Sequence, residues 1–126
     1  DMSLDMQRDE AGTTQSRLPV FDENTCPEDM EKMMRNAMRA SAFLKAISHE
    51  GRLMILCHLA SGEKSVTEME DLLSARQAAV SQQLSRLRLE GLVTPRRDGK
   101  AIYYRLTDDR PRQIIEVVYD LFCRSP

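Results

Sequence analysis

The sequence predicts a mainly α-helical domain carrying one small β-hairpin near its C-terminal end. Three observations carry that expectation. Apolar residues recur at helical spacing in five separate stretches. A single Asp98-Gly99 pair sits between two runs with strand character. The length of 126 residues suits one domain, since domains most often hold about 100–150 residues. No run of about 18 uncharged apolar residues occurs, so no membrane span is expected. The basic-then-apolar order of a secretory leader is missing as well. Three cysteines are too few, and odd in number, for a disulfide-stapled secreted domain. The expectation is therefore a reducing, cytoplasmic setting.

Taken in chain order, residues 1–25 are polar and patternless, with Gly12, Thr13, Thr14 and Ser16, and read as a disordered acidic tail. The folded domain is expected over residues 26–125. Pro27 followed by Glu28 and Asp29 marks a helix start, because proline suits the first turn and acids suit its positive end. That helix continues through Met30, Met33, Met34, Ala37, Met38, Ser41 and Leu44. His49-Glu50-Gly51 interrupts it as a helix junction, and a second helix carries Leu53, Leu56, Cys57, Leu59 and Ala60 until Ser61-Gly62. A short helix over about Thr67 to Leu73 is expected to bury Met69, Leu72 and Leu73. After a turn at Ser74-Ala75-Arg76, a fourth helix runs from Gln77 to Glu90 and closes at Gly91.

The hairpin follows, with strands Val93 to Arg97 and Lys100 to Leu106. Asp98-Gly99 supplies the positive φ angles of a two-residue type I′ turn, and Pro95 points to an edge strand. Past Pro111, Gln113 to Cys123 has helical spacing through Ile114, Val117, Val118, Leu121 and Phe122. Four helices, a hairpin and a final helix make a winged helix-turn-helix order.

Charge is distributed unevenly along this order. The formal net charge is −2, yet Asp1 to Met34 holds nine acidic and three basic residues. Ser74 to Thr107 holds seven basic residues against Glu90 and Asp98. Phosphate binding depends on local rather than total charge. Such a basic cluster is either a solvated surface or a nucleic-acid face. Within the fourth helix Val80, Leu84 and Leu87 fix the buried side. Gln77, Ala78, Ser81, Gln82, Ser85 and Arg86 lie on the outer side or its N-terminal edge. Gln can pair with adenine and Arg with guanine from the major groove, and recognition helices read bases mainly with their N-terminal residues. An ordinary amphipathic helix would also be polar outside; the short helix before it and the hairpin after it favour DNA. Arg96, Arg97 and Lys100 at the hairpin tip are placed to reach phosphates or a minor groove.

Two runs carry a family resemblance. LKAISHEGRLMILCHL (Leu44 to Leu59) and QAAVSQQLSRLRLEGLVTPRRDGKAIYYRL (Gln77 to Leu106) resemble the second helix, recognition helix and wing of ArsR/SmtB-type repressors. ISHEGR, the Cys in ILCHL and the Cys in LFCRS resemble the sulfide-responsive, BigR- and SqrR-like branch. The resemblance implies a homodimer on an inverted-repeat operator of double-stranded DNA, released when an effector arrives. It places the dimer interface on the first and last helices. The Met30, Met33, Met34 and Met38 face, with Val118 and Leu121, suits that interface; packing inside one subunit explains the same stripe.

The family's metal sensors fit less well. The short third helix holds Glu68-Met69-Glu70 where arsenic sensors hold thiolates, and no histidine follows His58. A closed zinc site needs about four N/S ligands, so no metal and no cofactor is expected. Without a phosphate loop, nucleophile motif or triad, no enzyme is expected either.

Cys57 and Cys123 fall where the resemblance places its sensing pair, while Cys26 has no counterpart there. Free cysteines also commonly just pack. The implied switch is a persulfide-driven polysulfide (tetrasulfide) bridge between Cys57 and Cys123. A pair held too far apart for one S–S bond is bridged by added sulfur atoms instead. A general thiol or peroxide sensor using the same pair is the alternative. From another class comes a helical interaction module that binds no DNA.

Overall fold

The computed structural model describes residues 18, 20, 22–74 and 77–124. Of the tail expected over residues 1–25, residues 1–17, 19 and 21 lie outside these, as do the turn residues Ala75 and Arg76 and residue 125 of the expected domain. Among the described residues the order is α1 (Pro27–Ile47), α2 (Glu50–Leu59), β1 (Lys64–Ser65), α3 (Val66–Leu73), α4 (Gln77–Leu89), β2 (Val93–Asp98), β3 (Ala101–Leu106) and α5 (Arg110–Phe122). No helix among them is long and apolar enough to cross a membrane. Two units form, one ending at Asn36 and one beginning at Ala37.

In the first unit the end of the expected tail is an ordered turn. The Asn24 amide donates to Asp22 Oδ1 at 2.9 Å, and the Asp22 amide donates to Thr25 Oγ1 at 2.9 Å. Cys26 begins α1, its carbonyl accepting from the Met30 amide at 3.1 Å. Glu28 and Asp29 occupy the first turn, where their charge complements the exposed amide dipoles.

In the second unit the core draws on every helix and on the hairpin. Ala46, Ile47, Ile55, Leu56, Leu59, Met69, Val80, Leu84, Leu87, Leu92, Val93, Tyr104 and Ile115 are buried together. Between α1 and α2, His49 is the expected junction residue, and it works as a cap: its Nδ1 accepts from the Gly51 amide at 3.0 Å. Ser65 caps α3 reciprocally with Glu68. The Ser65 hydroxyl accepts from the Glu68 amide at 3.0 Å, and Glu68 Oε1 accepts from the Ser65 amide at 2.8 Å. Two otherwise orphaned donors are satisfied in this way.

Four expectations change. Leu72 is 51% exposed rather than buried, because Met69 and Leu73 already fill the inner side of so short a helix. The last helix starts at Arg110, with Pro111 buried in its first turn; the missing proline N–H costs nothing there. A third strand, β1, pairs antiparallel with β3, setting Lys64 opposite Tyr104 and Ser65 opposite Tyr103. The hairpin turn shifts by one residue. Asp98 pairs with Ala101 in the ladder, so Gly99 and Lys100 form the loop. Only Gly99 of these two has positive φ (63°), the pattern of a type II′ turn rather than type I′. The sheet order β1-β3-β2 leaves Pro95 on an edge strand, as expected.

Candidate nucleic-acid interface and cysteine pair

The candidate face is built on α3 and α4, which pack against each other. Ser74 ends α3 in the left-handed region at φ 50°. On α4, Val80, Leu84 and Leu87 are at most 2% exposed, which fixes the rotation of the helix. Ala78, Gln82, Ser85 and Arg86 are accordingly exposed, and Ser81 is half-buried at the edge. Gln77 opens the helix. Arg86 sits 3.5 Å from Glu90, an exposed i,i+4 pair of the kind worth about 0.3–0.5 kcal/mol. Arg88, absent from the outer-face set read in the sequence, is exposed in the last turn; the basic cluster already contained it, and the i+7 spacing from Ser81 places it on the same side.

α4 is also fastened from behind. The Arg52 guanidinium, on α2, donates to Gln83 Oε1 at 3.1 Å. It also donates to the carbonyls of Ala46 and Lys45 at the end of α1. No local pattern signals this link, since 31 residues separate Arg52 from Gln83.

The three wing cations do not behave alike. Arg97 and Lys100 are exposed and form no ion pair among the described residues. Lys100 stands at the tip, beside a groove of 370 Å³ lined also by Ser65, Thr67 and Ser81. Arg96 instead turns to Glu63. Its Nε and Nη2 reach the Glu63 carboxylate at 3.1 and 2.6 Å, and its guanidinium carbon lies 4.7 Å from the Tyr103 ring centroid. Asp98 is 3.9 Å from it on the other side. These bonds lower the Glu63 carboxyl below its ordinary range and raise the Arg96 guanidinium.

The cysteines occupy the opposite helix pair. Cys57 lies on α2 and Cys123 is the C-terminal cap of α5, and these two helices pack on each other. Both thiols are free and exposed. Partial burial first, and then the charge of Cys123, push the Cys57 thiol above its ordinary range. Cys57 is therefore held protonated to higher pH. Cys26 is free and exposed at the head of α1. No cluster of three metal-ligating side chains occurs among the described residues.

Met30, Met34 and Met38 on α1 are 37, 59 and 71% exposed, and Met33 is half-buried. On α5, Val117, Tyr119, Leu121 and Phe122 are exposed as well, while Val118 is half-buried.

Residues 49–94 match the family of bacterial regulatory proteins described as the arsR family. Over 91 residues the chain is 45% identical to a biofilm growth-associated repressor of Agrobacterium fabrum, covering 72% of this chain and 78% of that protein. It is 36% identical to the transcriptional activator HlyU of Vibrio cholerae, over 79% of this chain and 92% of that one. The crystal structure of the transcriptional repressor BigR from Xylella fastidiosa superposes with a TM-score of 0.70 at 42% identity, covering 80% of this chain and all of that one. Reduced HlyU from Vibrio cholerae superposes with the same score at 37% identity, over 75% of this chain and 99% of that one.

Proposed function

The chain belongs to the ArsR family of bacterial regulatory proteins, and from that premise we propose a homodimeric transcriptional repressor whose Cys57 and Cys123 sense persulfide sulfur. Its fold is a winged helix-turn-helix. α4 enters the major groove of an inverted-repeat operator and reads bases with Gln77, Ala78, Ser81, Gln82, Ser85 and Arg86. Arg97 and Lys100 on the wing hold the phosphate backbone. The exposed Met face of α1 and the apolar end of α5 meet their counterparts in a second copy. Repression is taken from the relatives named repressors, at 43–45% identity, in preference to the activator HlyU at 36%.

The sensing reading is supported by one observation: two free, exposed thiols stand on helices that pack on each other. Each thiolate takes the outer sulfur of a low-molecular persulfide and releases its thiol. One protein persulfide then attacks the inner sulfur of a further persulfide and expels hydrogen sulfide. The second protein persulfide displaces the remaining thiol and closes a tetrasulfide. The small persulfide is thus the oxidant, and thiol and hydrogen sulfide are its reduced products. The bridge ties α2 to the end of α5, beside the proposed dimer face. A coupling of about 1–3 kcal/mol between that tie and the spacing of the two α4 helices suffices to loosen DNA 5–150-fold.

The test is the intact mass of reduced protein after glutathione persulfide, and separately after peroxide, with peptide mapping. A gain of about 62 Da with the Cys57 and Cys123 peptides joined is the expected product: two sulfur atoms in, two hydrogens out. Equal crosslinking by peroxide, with a loss of about 2 Da, would make the pair a general thiol sensor. Persistent release of DNA by persulfide in Cys57→Ser and Cys123→Ser proteins would remove the pair from the mechanism altogether.

A further inference from the structure

The sequence groups Arg96 with Arg97 and Lys100 as a candidate DNA contact, but its surroundings differ from theirs. Arg96 lies on edge strand β2, opposite Tyr103 of central strand β3. Glu63 immediately precedes edge strand β1, whose Ser65 is also paired opposite Tyr103. The Arg96 side chain therefore passes over the Tyr103 ring and meets Glu63 on the far side of the sheet. One guanidinium joins both edges across the centre, through a forked hydrogen bond and a cation–π contact. β1 runs straight into the Ser65 cap of α3, so whatever fixes the hairpin against β1 fixes it against the helix-turn-helix.

We propose that Glu63 and Arg96 form a clamp that sets the angle of the wing to the helix-turn-helix, and that Arg96 is a positioning residue rather than a phosphate contact. The proposal rests on the DNA-binding reading above. Its guanidinium is committed to a carboxylate and a ring, whereas Arg97, the next residue, points to the other face of the strand and forms no ion pair among the described residues. The clamp has a consequence opposite in sign to simple electrostatics. Removing the Glu63 charge makes the DNA-facing domain more positive and would tighten DNA binding if charge alone mattered. With the clamp broken, binding weakens instead.

The experiment measures affinity of the full chain for a random-sequence 30-base-pair duplex across a salt series, with hydrogen exchange of the same proteins. Glu63→Gln and Arg96→Gln are each expected to weaken binding about 3–10-fold while leaving the slope of log K against log salt unchanged. Arg97→Gln and Lys100→Gln should each reduce that slope by about one released counterion. The charge-swapped pair Glu63→Arg with Arg96→Glu should recover most of the loss. Exchange in the Glu63→Gln protein should quicken over 93–106 and stay unchanged in α2 and α4. Equal or tighter binding by Glu63→Gln, or a slope lowered by Arg96→Gln as by Arg97→Gln, overturns the clamp. Failure of the wild-type chain to bind duplex at low salt would sink the DNA reading; unchanged exchange over 93–106 would separately sink the clamp.

Discussion

Leu84 on α4 is wholly buried, while Leu121 on α5 is 72% exposed, and the contrast extends well beyond these two leucines. From Ala46 to Leu106 the chain turns most of its apolar residues inward, with Met54, Leu72 and Leu89 as exceptions, and satisfies its polar ones locally, with caps at His49 and Ser65 and no unpartnered buried side-chain nitrogen or oxygen among the described residues. α1 buries only Ala46 and Ile47 out of 21 residues, and α5 leaves Val117, Tyr119, Leu121 and Phe122 open to solvent. Exposed apolar side chains concentrated on one helix mark a candidate contact surface. One region is finished within a single chain; the other becomes finished only against something else, which under the proposed function is a second copy.

The largest way to break the contrast is to attack the finished region. Leu84→Ala should cost about 2–5 kcal/mol in urea unfolding, the range for a fully buried leucine; a loss under about 1 kcal/mol would mean the α4 core is looser than its burial. Attacking the open region should act on association instead. Met34→Ser with Met38→Ser is expected to leave the helical content intact and to shift sedimentation equilibrium toward monomer by about tenfold or more, since two buried Met side chains are worth about 1.5–3 kcal/mol each. No shift would remove α1 from the interface.

Smaller effects sharpen the picture. Ser65→Ala removes one half of the reciprocal cap of α3 and should cost about 0.5–2 kcal/mol, read from the same unfolding curves. The smallest effect concerns Cys57. Because burial and Cys123 raise its pKa, its alkylation rate should rise with pH through a midpoint above that of free cysteine. Cys123→Ser should bring the midpoint down only in part, since burial is the larger cause. A midpoint at or below that of free cysteine would contradict the partial burial of Cys57.

Sequence periodicity captured what depends on neighbours in the chain. The helical stretches, the hairpin, the edge position of Pro95 and the junction role of His49 all follow from spacing or local chemistry. What it missed depends on distance or brevity. β1 is two residues long, too short to show any alternation. The turn moved by one residue because Asp98 closes the ladder with Ala101, leaving Gly99 to take the one positive φ. Arg96 was grouped with Arg97 because adjacent residues look alike in sequence. Opposite faces of a strand separate them, and the partner of Arg96 lies 33 residues upstream. That Cys57 and Cys123 stand on helices that pack together depends on contacts distant in the chain, which spacing does not show.

Arg52 shows how shape, beyond charge, constrains what the chain tolerates. Its guanidinium serves acceptors in two directions, the carbonyls closing α1 and the Gln83 amide oxygen on α4. A lysine there would keep the positive charge but offer one nitrogen on a flexible stem, without the planar fork that spans them. Random mutagenesis should therefore find this position intolerant of the substitution usually counted as conservative, while exposed Arg105 accepts exchange freely.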